Sequence, residues 1–260
     1  CHHCQWKSGC PHCSAWRVFH KADRTLRCHH CGFTEAVPRA CPDCGNLDIA
    51  PLGRGTEKLE EQLAELLPGA RIARIDADST RHKGALESQL AAVHEGEVDV
   101  LVGTQMVAKG HDFRRMTLVA AINPDGALYS SDFRAAERLF ALLMQAAGRA
   151  GRDAQQAAAS EMWIQTANPQ HALYQALVKH DFEAFAASQL DERRRAGLPP
   201  FSSLALVRAE ARDAAVATAF LQAASDAAAS VPEAAAVSLY PPVPPAVPRV
   251  AGIERMQMLV

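Results

Sequence analysis

No apolar run in this 260-residue chain approaches the roughly 20 residues that a bilayer-spanning helix needs, so an integral membrane protein of helical type is excluded. No GxxxxGK[ST] phosphate loop and no DEAH-type acidic motif occur, so the chain by itself holds neither the cradle nor the Mg²⁺ ligand of a loop-based nucleotide hydrolase. No excess of positive charge is present either. With 27 basic against 29 acidic residues and a net charge of −2, bulk attraction to a polyanion is excluded, and any nucleic-acid contact must be local. No basic, apolar, cleavable leader precedes Cys1, which points to a cytoplasmic setting. Cys1 is not an initiator methionine and Val260 falls within an apolar run, MQMLV, so the sequence is expected to be a fragment.

What is present begins with cysteine. All eight cysteines lie between positions 1 and 44 as four CxxC pairs, Cys1/Cys4, Cys10/Cys13, Cys28/Cys31 and Cys41/Cys44, with five, fourteen and nine residues between pairs. Each pair can wrap two thiolates onto one ion, and four thiolates close a tetrahedral structural zinc site. A disulfide framework and redox CxxC motifs are the competing readings. The first suits a secreted chain, and the second does not account for four pairs. Four pairs fill two sites in three ways. The fourteen-residue spacer is close to zinc-ribbon length and holds AWRVF, a turn at 21–23 and TLR, a short hairpin. That groups Cys10, Cys13, Cys28 and Cys31, and leaves Cys1, Cys4, Cys41 and Cys44 as a second, nested site. His2, His3, His29 and His30 lie inside the knuckles as alternative ligands, and are expected to face solvent because four thiols already complete each site. Trp6, Trp16 and Phe19 are expected mostly in the small core, with base stacking as the other use.

From Pro51 the pattern turns to alternating helix and strand. Thr56 is placed to cap a helix carrying Leu59, Leu63, Leu66 and Leu67 on one face. Strands are expected at 71–75, 98–102, 117–122 and 161–166, the second and third buried on both faces, with helices at about 83–94 and 133–147. The latter helix carries Leu139, Leu142, Leu143 and Ala146 as its stripe. This is the grammar of a parallel sheet with crossovers. PQHALYQAL and DFEAFAASQLDERRR are further helices. Beyond Gly197-Leu-Pro-Pro comes a β-α-β-β series with a helix at about 214–229 and a strand near 236–240. The PPVPPAVP run reads as a stiff connection rather than a peptide-recognition ligand.

The loop GTQMVAKGHDF follows an apolar strand, where open parallel sheets place ligands, and a helix ends in QAAGRAGR. Guanidinium forks there suit a multi-oxygen anion such as a γ-phosphate; a basic helix end favoured by the macrodipole is the plainer reading. These two motifs resemble motifs V and VI of superfamily 2 helicases. DGALYSSDFRAAERLF, the cysteine array and ERRRAGLPPF resemble one branch, the primosomal replication-restart DNA helicases (primosomal protein N-prime, PriA), over nearly the whole chain.

The resemblance implies an α/β fold: a RecA-like helicase second lobe at 51–195, a double zinc-binding Cys-rich module at 1–50 and a small, incomplete C-terminal α/β domain at 196–260. It implies that Gln145, Arg149 and Arg152 approach the ATP phosphates, that Gly110 and Asp112 lie near the nucleotide and that Thr104 touches a DNA phosphate. The cofactors implied are two zinc ions, and ATP with Mg²⁺ once a first lobe is supplied. The activity implied is ATP-dependent 3′-to-5′ unwinding for replication restart and primosome assembly, the fragment alone being inactive. Implied partners are branched and single-stranded DNA, the single-strand-binding protein, and primosome and replicative-helicase loading proteins. Arg249, Arg255 and Gln257 fall at polar positions of the C-terminal pattern. Two other readings stay open: a zinc-dependent DNA- or protein-binding assembly factor without ATPase activity, and a fork-reversal translocase, which the cysteine array disfavours.

Overall fold

The structure is a computed structural model that describes residues 1–20, 23–50, 55–76, 79–80, 84–104, 113, 115–130, 132–151 and 159–260. It divides into two compact units, one made of Cys1–Leu52 with Pro199–Val260 and the other of Gly53–Leu198. Among the described residues no helix is long and apolar enough to cross a membrane.

In the first unit the cysteine-rich segment carries an antiparallel meander of β1 (Val18–His20), β2 (Thr25–Arg27) and β3 (Thr34–Ala36). The spacer between Cys13 and Cys28 forms the expected hairpin, with Val18 opposite Arg27 and His20 opposite Thr25. Trp16 departs from expectation. It is 63% exposed with the Lys7 ammonium over its ring, because the buried positions here go to sulfur and to Leu26.

The 199–260 segment of the same unit contributes β8 (Leu206–Ala211), β9 (Arg249–Val250) and β10 (Ile253–Leu259), ordered β8-β10-β9 and antiparallel. A 16-residue, alanine-rich helix spans Ala214–Ala229, capped by Asp213, which accepts the Ala215 N–H. The strand expected near 236–240 is absent. A 3₁₀ turn occupies Pro232–Ala236, and the proline-rich run then lies along β10. Proline supplies no N–H for a ladder, so the pairing there is a single bridge between Val243 and Gln257.

In the second unit the elements are α1 (Thr56–Leu66), β4 (Ile72–Ile75), α2 (Ala85–Glu95), β5 (Val100–Gly103), β6 (Leu118–Ile122), α3 (Ala135–Ala147), β7 (Glu161–Gln165), α4 (Ala172–Val178) and α5 (Phe182–Ala196). Both ladders are parallel: β4 with β5, Ile72 opposite Val100, and β6 with β7, Leu118 opposite Glu161. Parallel strands need helical crossovers, and each pair here is joined across a helix. Three expectations change in detail. Thr56 does not cap α1 with its side chain; its hydroxyl donates to Asp76 Oδ2 at 2.6 Å. Leu66 and Leu67 lie exposed, while Leu59 and Leu63 of the same stripe are half-buried. Strand β6 is not buried on both faces: Val119 and Ala121 are half-buried on one face, and Leu118 and Ile122 on the other are about half exposed.

The core of this unit gathers Leu139, Phe140 and Leu143 of α3 with Leu173, Tyr174, Ala176 and Leu177 of α4 and Phe185 of α5. Phe140 takes the place expected for Leu142 and stacks on Phe185 at 4.3 Å between ring centroids. At the edge of this core sits a buried carboxylate. Asp125, in the 3₁₀ turn after β6, accepts the Thr166 hydroxyl and the Tyr174 hydroxyl at 2.6 Å each and the Ala167 N–H at 2.8 Å. Those donors, the Thr166 and Tyr174 hydroxyls first, hold its carboxyl down at about 2. Burial and the same carboxylate push the Tyr174 phenol up to about 12, so it stays a donor.

A carboxyl whose folded value lies below its ordinary 3.8 stabilises the fold above about pH 4, and that contribution is lost as pH falls towards 2. Asp125→Asn is therefore expected to unfold at a temperature several degrees lower at pH 7, with the gap to wild type narrowing between pH 4 and pH 2. Melting temperatures of both proteins across that range check it; a gap that does not change with pH would refute the charged role of Asp125.

Candidate metal centres and motor-lobe motifs

The CxxC knuckles build the two metal centres from their own backbone. Gly32 N–H donates to the Cys28 carbonyl and Gly45 N–H to the Cys41 carbonyl, at 2.9 Å each, both glycines at positive φ. These turns bring the two sulfurs of a pair to one side. The structure gathers Cys1, Cys4, Cys41 and Cys44 into one group and Cys10, Cys13, Cys28 and Cys31 into another, each with its sulfurs within 4.8 Å of one another. This is the nested grouping expected from the spacers.

Sulfur spacing discriminates between metal and disulfide. Cys1 and Cys44 lie 3.7 Å apart, Cys4 and Cys41 3.4 Å, and Cys10 and Cys31 3.7 Å. A tetrahedron with zinc–sulfur bonds of about 2.3 Å has edges of about 3.8 Å, whereas a disulfide needs about 2.05 Å. All eight cysteines are free. The donor set, its number and its spacing therefore fit a Cys4 ion at each group.

The inner group, Cys10, Cys13, Cys28 and Cys31, is the more buried and has Ala15, Phe33 and Val250 packed around it. Burial pushes the Cys13 thiol up to about 12, partly offset by the Ala251 N–H. Burial opposes the Cys28 thiolate too, but the N–H groups of Cys31 and His30 outweigh it and bring that thiol down to about 7. Four crowded thiols compete for protons in this way, and a divalent cation at the centre favours all four as thiolates. His2, His3, His29 and His30 are exposed and outside both groups. His29 instead meets His20, their Nε2 atoms 3.3 Å apart.

In the motor-like unit, Thr104 follows β5 and is exposed, and Gln145 is exposed on α3. Arg149 lies half-buried just past that helix, its N–H bonded to the Ala146 carbonyl at 3.0 Å. The Gly151 N–H donates to the Met116 carbonyl at 3.0 Å, which ties the glycine-arginine ending to the chain two residues before β6. Gly110, Asp112 and Arg152 lie outside the described residues.

In the other unit Arg255 donates to Glu210 at 2.9 Å. It lines an open cleft with His30, Arg208, Met256 and Gln257, while Arg249 lies 4.0 Å from Glu254.

Sequence reasoning passed over two buried carboxylates at strand exits, Asp76 after β4 and Asp125 after β6. Asp76 accepts the Thr56 hydroxyl, the Arg74 guanidinium at 2.8 Å and the Ser79 N–H at 2.8 Å. An acid within three residues of a strand's end was the available signal, and only the folded partners separate it from an exposed loop residue.

Residues 10–35 match the Cys-rich region domain of the PriA DNA helicase, and residues 52–154 match the helicase conserved C-terminal domain. The whole chain aligns at 44% identity with the replication restart protein PriA of Haemophilus influenzae, over 35% of that protein. It aligns at 39% identity with that of Treponema pallidum, over 39% of it. The Bacillus subtilis protein is 43% identical over 80% of this chain and 25% of its own length.

The chain belongs to the PriA family.

It spans about a third of the length of those relatives; its parallel α/β unit is the RecA-like second lobe of that family, and the chain also carries the Cys-rich zinc module. Substitution should sort the thiols by ion. Serine at Cys13 or Cys31 is expected to release one and the same zinc, and serine at Cys4 or Cys44 the other. Zinc stoichiometry of the single and combined variants checks this: Cys13→Ser with Cys31→Ser should still hold one ion. If Cys4→Ser with Cys13→Ser loses only one, the grouping is wrong.

Proposed function

We propose that this chain is the second motor lobe and zinc module of an ATP-dependent 3′-to-5′ DNA helicase for replication restart and primosome assembly at stalled forks, acting in the cytoplasm. The observation that carries the reading is the match of residues 52–154 to a helicase C-terminal domain in a chain that also carries the family's Cys-rich region. Its organisation is a zinc module at 1–50, a lobe at 51–195 and a C-terminal α/β domain at 196–260. Each Cys4 group holds one structural zinc ion, which supplies no chemistry beyond folding and shape.

In this reading the chain brings one half of an ATP site. Gln145 lies near the end of α3 and Arg149 just past it. Arg149 and Arg152 offer planar guanidinium forks to the γ-phosphate, where they stabilise charge as it develops in transfer. Gly110 and Asp112 lie beside the nucleotide, and Thr104, on the exit of β5, holds a DNA phosphate. ATP with Mg²⁺ supplies the free energy of translocation and requires a phosphate loop from the first lobe. Branched and single-stranded DNA, the single-strand-binding protein and primosome and helicase-loading proteins are the partners. Arg249, Arg255 and Gln257 are the C-terminal residues assigned to these contacts.

The test is made on the two levels separately. This chain alone is expected to bind two zinc ions and to show no ATP turnover. In the longer protein containing the phosphate loop, Arg152→Ala should lower kcat for DNA-stimulated hydrolysis roughly 100-fold or more while melting temperature and zinc content stay unchanged. Lysine at 152 should rescue poorly, since a point charge does not reproduce the fork. An unchanged kcat with a lowered melting temperature would mark Arg152 as structural. A longer protein with no turnover at all would leave the zinc-dependent assembly factor as the reading.

A further inference from the structure

The inner cysteine group is not finished by residues 1–50. The two-residue hairpin between β9 and β10 closes against it. Val250 pairs with Ile253, and Ala251 and Gly252 between them both lie at positive φ, +51° and +78°, as a primed turn requires. That conformation aims their N–H groups at the Cys10/Cys13 knuckle. The Ala251 N–H donates to Cys13 Sγ at 3.3 Å, across 238 residues of sequence. The Gly252 N–H donates to the His12 carbonyl at 2.8 Å, and the Ser14 N–H donates to the Arg249 carbonyl at 2.9 Å. Val250 packs on the cluster of Cys10, Cys13 and Cys28. By contrast, the outer knuckles reach Asn46 and Asp48, through the Cys41 and His2 N–H groups.

A zinc-bound thiolate still accepts N–H donors, and such outer donors hold the ligand in place and set how tightly the metal sits. Alanine at positive φ is a strained conformation that persists only where its surroundings impose it; here the sulfur and the His12 carbonyl are those surroundings. We infer that the 249–252 turn is an outer-shell part of the inner zinc site, so that metal at Cys10, Cys13, Cys28 and Cys31 orders the C-terminal sheet, and metal at the outer group does not. The inference rests on the quartets being zinc sites. A chelator or oxidant that removes this one ion then also loosens the sheet carrying Arg208, Arg255 and Gln257, and removal of the other ion does not.

The experiment uses the zinc-loaded chain and its Gly252→Val variant, which forces a β-branched residue into the left-handed turn. Competition with a colorimetric chelator should show one of the two ions bound at least about tenfold more weakly, and the other unchanged. The reciprocal arm reads amide hydrogen exchange over 206–211 and 253–259. Cys31→Ser, holding one zinc, should exchange faster there, and Cys44→Ser, also holding one zinc, should match wild type. Two ions indifferent to Gly252→Val would overturn the inference, as would Cys44→Ser loosening the sheet as much as Cys31→Ser. Fewer than two zinc ions in the wild-type chain would instead overturn the reading of the quartets, and this inference with it.

Discussion

Four sulfurs around one cation are the constraint on which the first unit depends. Within residues 1–50 the buried side chains described are Cys10, Cys13, Cys28, Cys41, His20 and Leu26. One buried leucine contributes roughly 2 kcal/mol, whereas a structural zinc ion binds with about 10 to 16 kcal/mol. The metal therefore outweighs apolar burial as the force that folds this segment. That explains why Trp16 and Val18 can stay exposed without loss of a core, since the sulfur–metal bonds have taken the core's place.

The second unit is built on the opposite balance. Its core is of leucines, phenylalanines and Tyr174 with no cysteine in the unit, and it leaves the strand exits to polar chemistry. Asp76 and Asp125 each tie a loop at the carboxyl end of a strand to neighbouring elements, Asp76 to α1 through Thr56 and Asp125 to α4 through Tyr174. Buried carboxylates with several donors hold loops in one arrangement. In a parallel sheet this is the edge where ligands are taken up, and these internal acids fix the strand exits on that edge.

Apolar periodicity made the order of elements legible, and it was least reliable at their margins. The stripe on α3 reads Leu139 and Leu143 correctly, but Phe140 rather than Leu142 is fully buried, because α5 brings Phe185 to stack on that side. The strand expected near 236–240 is a case of local preference with too little pairing: valine, serine, leucine and tyrosine favour extension, yet only the Tyr240 N–H reaches β10, at the Leu259 carbonyl, and the bridge and ladder along β10 go to Val243 and to β9. Thr56 has the composition of a helix cap, and its hydroxyl turns instead to a buried aspartate twenty residues on.

The eight cysteines, their four-pair spacing, the alternation of helix and strand and the glycine-arginine ending are properties of the sequence itself. They determined the metal chemistry, the fold class and the motor-like motifs, because ligand type, periodicity and motif spacing are local. The joining of residues 1–52 with 199–260 into one unit was decided only in three dimensions, as was the amide of Ala251 on the sulfur of Cys13. A backbone N–H is the same at every non-proline residue and leaves no mark on composition. Only the tertiary structure chooses which sulfur it meets.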